Sequence, residues 1–312
     1  MLDLTQQLKH HINMNRLDPD KRVKAIAGLV EGNSIRAVSR MTGVARNTIT
    51  DLLVDLGTTC AEYQDKTLRN LPCKRIQCDE IWAFCYAKEK NVPADKQGKF
   101  GYGSIWTWTA LDADTKLIAS WMVGPRDVTA ATEFMRDLEG RLANRVQLTT
   151  DGHKPYLEAV DYAFGGQIDY AMLVKIDGES GEPERRYSPA DYVASEKRTI
   201  TGNPVKKHIS TSYVEHQNLT MRMHVRRFTR LTNGFSKKLD NHIAAVSLHF
   251  MHYNFVRIHQ TLRMSPAMAA GVTDRLWEIG DIVRLLEERE DRLLAEEKTE
   301  RVARLYRQVI PK

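Results

Sequence analysis

Between Ile76 and Lys175 the chain changes from runs rich in β-branched and aromatic residues to alternating helical and extended patterns. The first three runs are bounded by Gly, Asp and Lys, which predicts three successive antiparallel strands. A helix with apolar residues on one face follows, and after it a strand, a second helix and a last strand. The predicted strands cover residues 76–84, 104–111, 117–123, 146–150 and 168–175, and the predicted helices cover 127–144 and 154–164.

This order of elements predicts an α/β fold with a ribonuclease-H-like (integrase-type) core, in which helices cover both faces of a mixed sheet. We expect the core over residues 75–272, an N-terminal helical domain over 1–56 and a polar linker over 57–74. Residues 177–209 show no clear period and are expected to form a loop. Residues 273–312 predict a highly charged C-terminal helix, whose partial apolar seam suits a dimer contact or packing on its own domain.

The N-terminal domain has the pattern of a helix-turn-helix. Asp18 and Pro19 suit the N-cap and the first position of a helix. Gly43 lies in the middle of segment 34–53, where a tight turn between two short helices needs a residue that tolerates positive φ. The second short helix would expose side chains suited to base edges and phosphates, so the predicted DNA-binding residues are Arg46, Asn47, Thr48 and Thr50. The alternative is a helical hairpin that does not bind DNA.

Three carboxylates are expected to converge at one edge of the core. Asp79 lies within the first predicted strand, where an aspartate is disfavoured unless it is paired or coordinated. Asp151 ends the short fourth strand, and Glu215 lies in the first turn of a long helix expected from about residue 211 to 231. Clustered carboxylates are stable at neutral pH when divalent cations neutralise them, and oxygen ligands favour Mg²⁺ or Mn²⁺. Two such ions would support cleavage and transfer of a phosphodiester.

Glu80 directly follows Asp79 and is a competing candidate. Neighbouring residues of a strand point to opposite faces of the sheet. We therefore expect only one of the two to join the acidic cluster, and we expect it to be Asp79.

The formal net charge of +6 is concentrated near Glu215, because residues 205–238 contain eight Lys or Arg and one acid. Helical spacing would align Asn218, Arg222 and Arg226 with Glu215 on one basic face, which suits DNA phosphates. The other predicted DNA-binding residues of this region are Arg227, Arg230, Lys237 and Lys238. His153 is close enough to Asp151 to contact DNA or a leaving group, or else stabilises the turn.

The remaining composition fits a cytoplasmic protein, and there a bacterial DNA-binding protein would associate with the nucleoid. Four cysteines, at positions 60, 73, 78 and 85, contain no C-x2-C pair, which favours reduced thiols and leaves a zinc site as the alternative. No stretch approaches the 18 apolar residues of a membrane span, and the N-terminus lacks a secretory signal.

At several segments the sequence resembles the DDE insertion-sequence transposases, and among them the insertion-sequence-one group. The similar segments are CDEIW at 78–82, TTDGHKPY at 149–156, VEHQNLTMRMHVRRFTRLTNGFSKK at 214–238 and HYNFVRIHQTLRMSPAMAA at 252–270. The resemblance implies Asp79, Asp151 and Glu215 as the first, second and third catalytic carboxylates. It also places Arg222 where many such enzymes have a basic residue that contacts DNA.

The expected function is therefore transposition of an insertion sequence. The chain would bind terminal inverted repeats and target DNA, cleave and join strands with two Mg²⁺ or Mn²⁺ ions, and act as a homodimer or larger assembly. Two alternatives stay open: a DNA-binding regulator without catalysis, such as a domesticated transposase, and a structure-specific nuclease of the same fold.

Overall fold

The computed structural model describes residues 16–177, 192–229 and 232–309. The helices are α1 (Pro19–Val30), α2 (Ile35–Thr42), α3 (Arg46–Thr67), α4 (Val128–Glu139), α5 (Pro155–Phe164), α6 (Ser212–His224), α7 (Leu239–Met251), α8 (Pro266–Ala269) and α9 (Ile279–Val309). The strands are β1 (Arg75–Cys85), β2 (Gly103–Asp112), β3 (Ile118–Gly124), β4 (Gln147–Asp151), β5 (Asp169–Asp177) and β6 (Tyr192–Thr201).

One six-stranded sheet, in the order β3-β2-β1-β4-β5-β6, organises the chain. The first three strands form an antiparallel meander, whereas β1, β4 and β5 run parallel. The helices that connect the parallel strands supply the long crossover such a pairing requires. The mixed α/β architecture predicted from the alternating patterns is thereby confirmed.

Helices cover both faces of the sheet. Trp108 of β2 packs against Phe134 of α4 and Tyr156 of α5 on one face. On the other face Ile81 and Ala83 share a core with α6 and α7. Because successive residues of a strand alternate between faces, odd-numbered positions of β1 face α6 and even-numbered ones face α4 and α5.

The N-terminal helices include the two predicted on either side of Gly43, which adopts a left-handed conformation with φ of 71°. Ser34 caps α2 by accepting a hydrogen bond from the Ala37 amide. Val38 and Ile49 are buried in the same hydrophobic core as residues of the sheet. The turn between α2 and α3 therefore has the predicted local form, and its helices pack directly on the rest of the chain.

The linker expected over residues 57–74 is wrong in its first part, because α3 continues to Thr67. A domain boundary at residue 56 would fall inside this helix. Gly57 lies against α7 so closely that a Cβ there would be 2.4 Å from the Cα of Ala244. Asp65 and Lys66 of this segment are exposed, whereas Thr59 and Gln64 are buried, so its polar composition did not reveal a helix that packs on the core.

The loop expected over residues 177–209 contains β6, which pairs antiparallel with β5 at the edge of the sheet. Residues 195–200 of β6 are exposed. Edge strands are commonly rich in charged residues, which protect them from pairing with other chains. The polar sequence therefore lacked the apolar alternation from which a strand is predicted.

Helix α6 ends at His224, earlier than the predicted residue 231. Val225 is extended, with φ of −110° and ψ of 103°, and a short 3-10 turn follows it. This turn places Phe228 in the core, where its ring centroid lies 5.1 Å from that of His242 on α7. The helix therefore ends where the chain turns to bury Phe228. Arg226 lies in this turn, so it does not extend the helical face that carries Glu215.

The C-terminal helix α9 begins at Ile279 and packs on the N-terminal helices. Ile282 and Leu286 are buried in the core shared with α1 and α3. Arg22 of α1 binds Glu290 at 3.1 Å. The part of the apolar seam nearest the start of α9 therefore packs on the same chain. Among the described residues, no helix has the length and hydropathy to cross a membrane.

Candidate metal centre

Three carboxylates meet where β4 ends beside β1. The parallel ladder between these strands stops at Cys78 and Thr150, so the next residues of β1 have no strand on that side. One carboxylate oxygen each from Asp79, Glu80 and Asp151 lies within 4.8 Å of those of the other two. Asp151, at the end of β4, thus lies close to Asp79 on one face of the sheet and to Glu80 on the other.

The expectation that only one of Asp79 and Glu80 could join the cluster is wrong. The two side chains do start on opposite faces of β1. They nevertheless approach the same point, because no backbone of β4 separates the two faces beyond Asp151. Sequence alternation alone gives the face of each residue but not where the neighbouring strand stops.

Asp79 is held in place from α6. The side-chain amide of Asn218 donates to Asp79 Oδ2 at 2.8 Å, and the Glu80 backbone amide donates to Oδ1 at 2.9 Å. Asn218, predicted to contact DNA, is only 5% exposed. Burial, followed by the negative charge of Asp151, raises the pKa of Asp79 to about 7.

Glu80 is held from the opposite face by Arg126. Arg126 Nε donates to Glu80 Oε2 at 3.1 Å, and its Nη2 lies 3.7 Å from Asp151 Oδ2. The guanidinium also lies 4.7 Å from the ring centroid of Trp106. Burial, followed by the charge of Asp151, raises the pKa of Glu80 to about 7.

Glu215 lies near Asp79 but outside the three-carboxylate group. Its Oε1 accepts a hydrogen bond from Thr211 at 2.5 Å and an ion pair from Lys175 of β5 at 2.7 Å. The charge of Glu215 contributes to the raised pKa of Asp79. Of the three predicted carboxylates, Asp79 and Asp151 therefore belong to the group, which Glu80 completes, and Glu215 lies beside it.

His153 lies directly beside this cluster, and its ring packs among aromatic side chains. The His153 backbone amide donates to Asp151 Oδ1 at 3.0 Å. The ring packs against Trp108 and Tyr156, and its pKa is lowered by burial and by Arg126. These contacts favour a role in stabilising the turn after β4 over a contact with DNA.

The donor set fits a hard divalent cation. All ligand atoms are carboxylate oxygens, which favour Mg²⁺ or Mn²⁺. Glu80 Oε1 is buried and has no hydrogen-bond partner among the described residues. The Tyr156 hydroxyl lies beside the Glu80 carboxylate and lowers its pKa. A buried charged oxygen is costly unless it is hydrogen-bonded or coordinated, so a cation would stabilise the ionised carboxylates against the burial and repulsion that raise both pKa values.

The predicted basic residues on α6 and after it have different surroundings. Arg222 is half-buried on α6, and Arg226 is half-buried in the turn that follows it. Arg227 Nε donates to the Asn241 carbonyl at 3.0 Å, and burial lowers the pKa of this guanidinium to about 10. Lys237 and Lys238 are exposed. Arg230 lies outside the described residues.

The predicted DNA-binding residues of α3 lie at its start. Arg46, Asn47 and Thr48 are exposed, and Thr50 is half-exposed with its hydroxyl bonded to the Arg46 carbonyl. Their accessibility is what contact with DNA requires, and the contact itself stays a prediction.

None of the four cysteines belongs to the acidic cluster, although Cys78 directly precedes Asp79. All are buried free thiols, and burial raises the pKa of Cys60, Cys73 and Cys78 above the ordinary thiol value. Among the described residues, the one group of three or more ligands that could hold a metal ion contains no cysteine. The structure thus offers no geometric support for the zinc alternative.

Sequence reasoning missed Arg126, Lys175 and the membership of Glu80. Arg126 lies just after β3 and Lys175 lies within β5. Neither residue belongs to a sequence motif. Only Glu80 gave a signal, through its position next to Asp79.

No protein-family model and no curated protein matches this chain. Among solved structures, the Mos1 transposase paired-end complex with left transposon end is similar at 11% identity and a TM-score of 0.22, over 51% of this chain and 61% of that one. The piggyBac transposase synaptic complex with hairpin DNA is similar at 11% identity and a TM-score of 0.36, over 94% and 77%. The chain thus spans about three fifths of the Mos1 chain, and neither likeness is close enough to define a fold or an activity.

Proposed function

We propose that this chain is a metal-dependent DNA transposase of the DDE type, which cleaves and joins DNA strands at the ends of an insertion sequence. The observation that carries the proposal is the meeting of Asp79, Glu80 and Asp151 within 4.8 Å. The motif segments around Asp79, Asp151 and Glu215, which resemble the insertion-sequence transposases, support it from the sequence.

Asp79, Glu80 and Asp151 would hold Mg²⁺ or Mn²⁺, with Glu215 close enough to join them. Two such ions would activate an attacking oxygen and stabilise a leaving oxygen of the phosphodiester. The same chemistry would serve strand cleavage and the transfer of a 3′-hydroxyl end to target DNA.

The surrounding residues would position these ligands. Asn218 orients Asp79 without adding charge, because an amide donor is neutral at any pH. Arg126 orients Glu80 and reduces the repulsion between Glu80 and Asp151. Lys175 holds Glu215 through an ion pair that is partly exposed, so this pair costs little to break.

The DNA partner would be the terminal inverted repeats, bound through the exposed start of α3. Arg46, Asn47 and Thr48 would contact the repeats, and the basic residues around α6 would contact phosphates near the scissile bond. Joining two ends to a target requires both ends to be held together, so we infer a homodimer or larger assembly on DNA.

The test is a joining assay with purified protein, candidate element-end DNA and a target plasmid in the presence of Mg²⁺. We expect joined products with the unaltered chain and none with Asp79→Asn. Asp161→Asn, an exposed residue of α5, serves as the matched control and should retain activity.

Other outcomes separate the alternatives. Cleavage without joining would favour a structure-specific nuclease. Binding to element ends with no metal-dependent cleavage would contradict the enzyme and favour a regulator.

A further inference from the structure

An aromatic stripe extends from the acidic cluster along the face of the sheet that carries Glu80. Trp82 and Trp106 are register partners on β1 and β2. The ring centroid of Trp82 lies 5.8 Å from that of Phe84, and Phe84 lies 4.8 Å from Phe235. Arg126, which binds Glu80, packs over Trp106 at the near end. The aromatic stripe, made of Trp106, Trp82, Phe84 and Phe235, is thus continuous with the metal centre.

The aromatic stripe is accessible because the helical layer stops beside Trp108. Trp108 is fully buried under α4 and α5, whereas its neighbour on the same face, Trp106, is half-exposed. Trp82 is 43% exposed. Contiguous exposed apolar surface rimmed by polar residues marks ligand or partner sites, and the aromatic stripe has this form.

The far end of the aromatic stripe reaches a cationic cleft. Phe235 lines a cleft of about 760 Å³ between the α1–α2 connection, α3 and the segment after α6. Its lining includes Arg36, Arg226, Arg227 and Lys237, and none of the described residues that line it is Asp or Glu. A cleft with this charge favours an anionic ligand.

The two walls of the cleft are joined closely enough to form one site. Gly32, in the α1–α2 connection, has φ of 78°, and a Cβ there would lie 2.7 Å from the Met223 carbonyl of α6. On the other wall, the Ser236 carbonyl accepts a hydrogen bond from the Tyr86 amide just beyond β1. The backbone thus ties the cleft both to the N-terminal helices and to the strand that carries Asp79 and Glu80.

We propose that a single, unpaired DNA strand follows this path, with its bases stacked on the aromatic stripe and its phosphates in the cationic cleft. Bases offer their flat faces to aromatic side chains when they are unstacked from a duplex. A cation-lined groove with interleaved aromatic rings is the arrangement that binds single strands without sequence preference. The inference rests on the proposed function, because it names the state of the DNA strand beside the same metal centre.

The test measures binding in EDTA, so that metal-dependent cleavage does not contribute. The full-length chain is titrated into a fluorescein-labelled twelve-nucleotide oligo(dT), and fluorescence anisotropy gives the Kd. A duplex of equal length serves as competitor. We expect the double variant Trp82→Ala/Phe84→Ala to weaken single-strand binding about tenfold or more, with less than about a twofold change for the duplex.

The cationic cleft is tested by Arg36→Ala/Lys237→Ala, which should also weaken single-strand binding about tenfold. Matched controls are Tyr162→Ala, an exposed aromatic residue of α5, and Arg40→Ala, one turn after Arg36 on α2. Neither control residue belongs to the aromatic stripe or the cationic cleft, so both should bind the oligomer as the unaltered chain does.

A second measurement needs no variant. Photocrosslinking of the unaltered chain to an oligomer that contains 5-bromodeoxyuridine should yield adducts in the peptides that carry Trp82 and Trp106. Adducts confined to other peptides would overturn the proposal, as would equal weakening of single-strand and duplex binding by Trp82→Ala/Phe84→Ala. Absence of joined products with Mg²⁺ would contradict the transposase activity and leave the result in EDTA unaffected.

Discussion

The carboxylates on the two sides of the acidic cluster are held by different partners. On the α6 side, a neutral amide from Asn218 orients Asp79, and a partly exposed lysine binds Glu215. On the side of α4 and α5, the buried carboxylate of Glu80 depends on the single cation Arg126, which also approaches Asp151. Water therefore screens the Lys175–Glu215 pair on the α6 side, whereas the buried Glu80 carboxylate on the other side requires its guanidinium.

The largest effect is expected at Arg126. Arg126→Ala leaves the Glu80 carboxylate, whose side chain is 1% exposed, without its ion-pair partner. Loss of one partner of a buried pair costs about 3 kcal/mol, so urea unfolding at pH 8 should show a decrease of this size. The decrease should be smaller at pH 5.5, because the pKa of Glu80 is about 7 and the carboxylate can then take up a proton.

The double variant Glu80→Gln/Arg126→Ala provides the control for this comparison. It should recover most of the lost free energy of unfolding, because the amide carries no charge. If Arg126→Ala lowers the free energy of unfolding equally at both pH values, or if the double variant recovers none of it, the ionised Glu80 carboxylate does not depend on Arg126.

Divalent cations should stabilise the chain by a somewhat smaller amount. Burial and mutual repulsion raise the pKa of Asp79 and Glu80 to about 7, above the ordinary carboxyl values. In EDTA these groups therefore make the free energy of unfolding fall as pH rises from about 4 to about 7. Mn²⁺ at a hundred times its Kd should add about 2.7 kcal/mol at pH 8, and less at pH 5.5 where protons compete.

Variants of single ligands show which side contributes to cation binding. Asp79→Asn and Glu80→Gln should each reduce the Mn²⁺-dependent rise in the thermal midpoint, and Glu215→Gln should reduce it less. A larger loss with Glu215→Gln than with Glu80→Gln would place the cation on the α6 side.

A moderate effect is expected at Asn218. Asn218→Ala removes the side-chain donor to Asp79 Oδ2. A hydrogen bond to a charged group contributes about 1.5 kcal/mol, and urea unfolding at pH 8 should show a loss of this order. In an Asp79→Ala background the same change should cost less, and an unchanged cost would mean that Asn218 stabilises the chain through other contacts.

The smallest effect is expected at Lys175. Its ion pair with Glu215 joins side chains that are 45% and 37% exposed. Exposed pairs contribute less than about 1 kcal/mol, so Lys175→Ala should change the free energy of unfolding at pH 8 by no more than this. A loss as large as that of Arg126→Ala would remove the contrast between the two sides.

Local patterns predicted much of the fold correctly because they report on each segment separately. The strands β1 to β5 and the helices around Gly43 each have a period or a turn residue that marks them. The strand β6 and the second half of α3 have neither, because one is a charged edge and the other presents a polar face to solvent. Their structures depend on partners that are distant in sequence, β5 and α7 respectively.

The sequence predicted that Asp79 lies within a strand and that Asp151 ends another, since both follow from local patterns of β-branched residues and turn signals. That Glu80 joins them depends on the tertiary structure, because β4 stops at Asp151 while β1 continues and leaves both faces open. Tertiary structure likewise brought Arg126, Asn218 and Lys175 to the acids from other strands and helices. Pairings of this kind depend on where separate elements end in space, and hydrophobic periodicity carries no information about that.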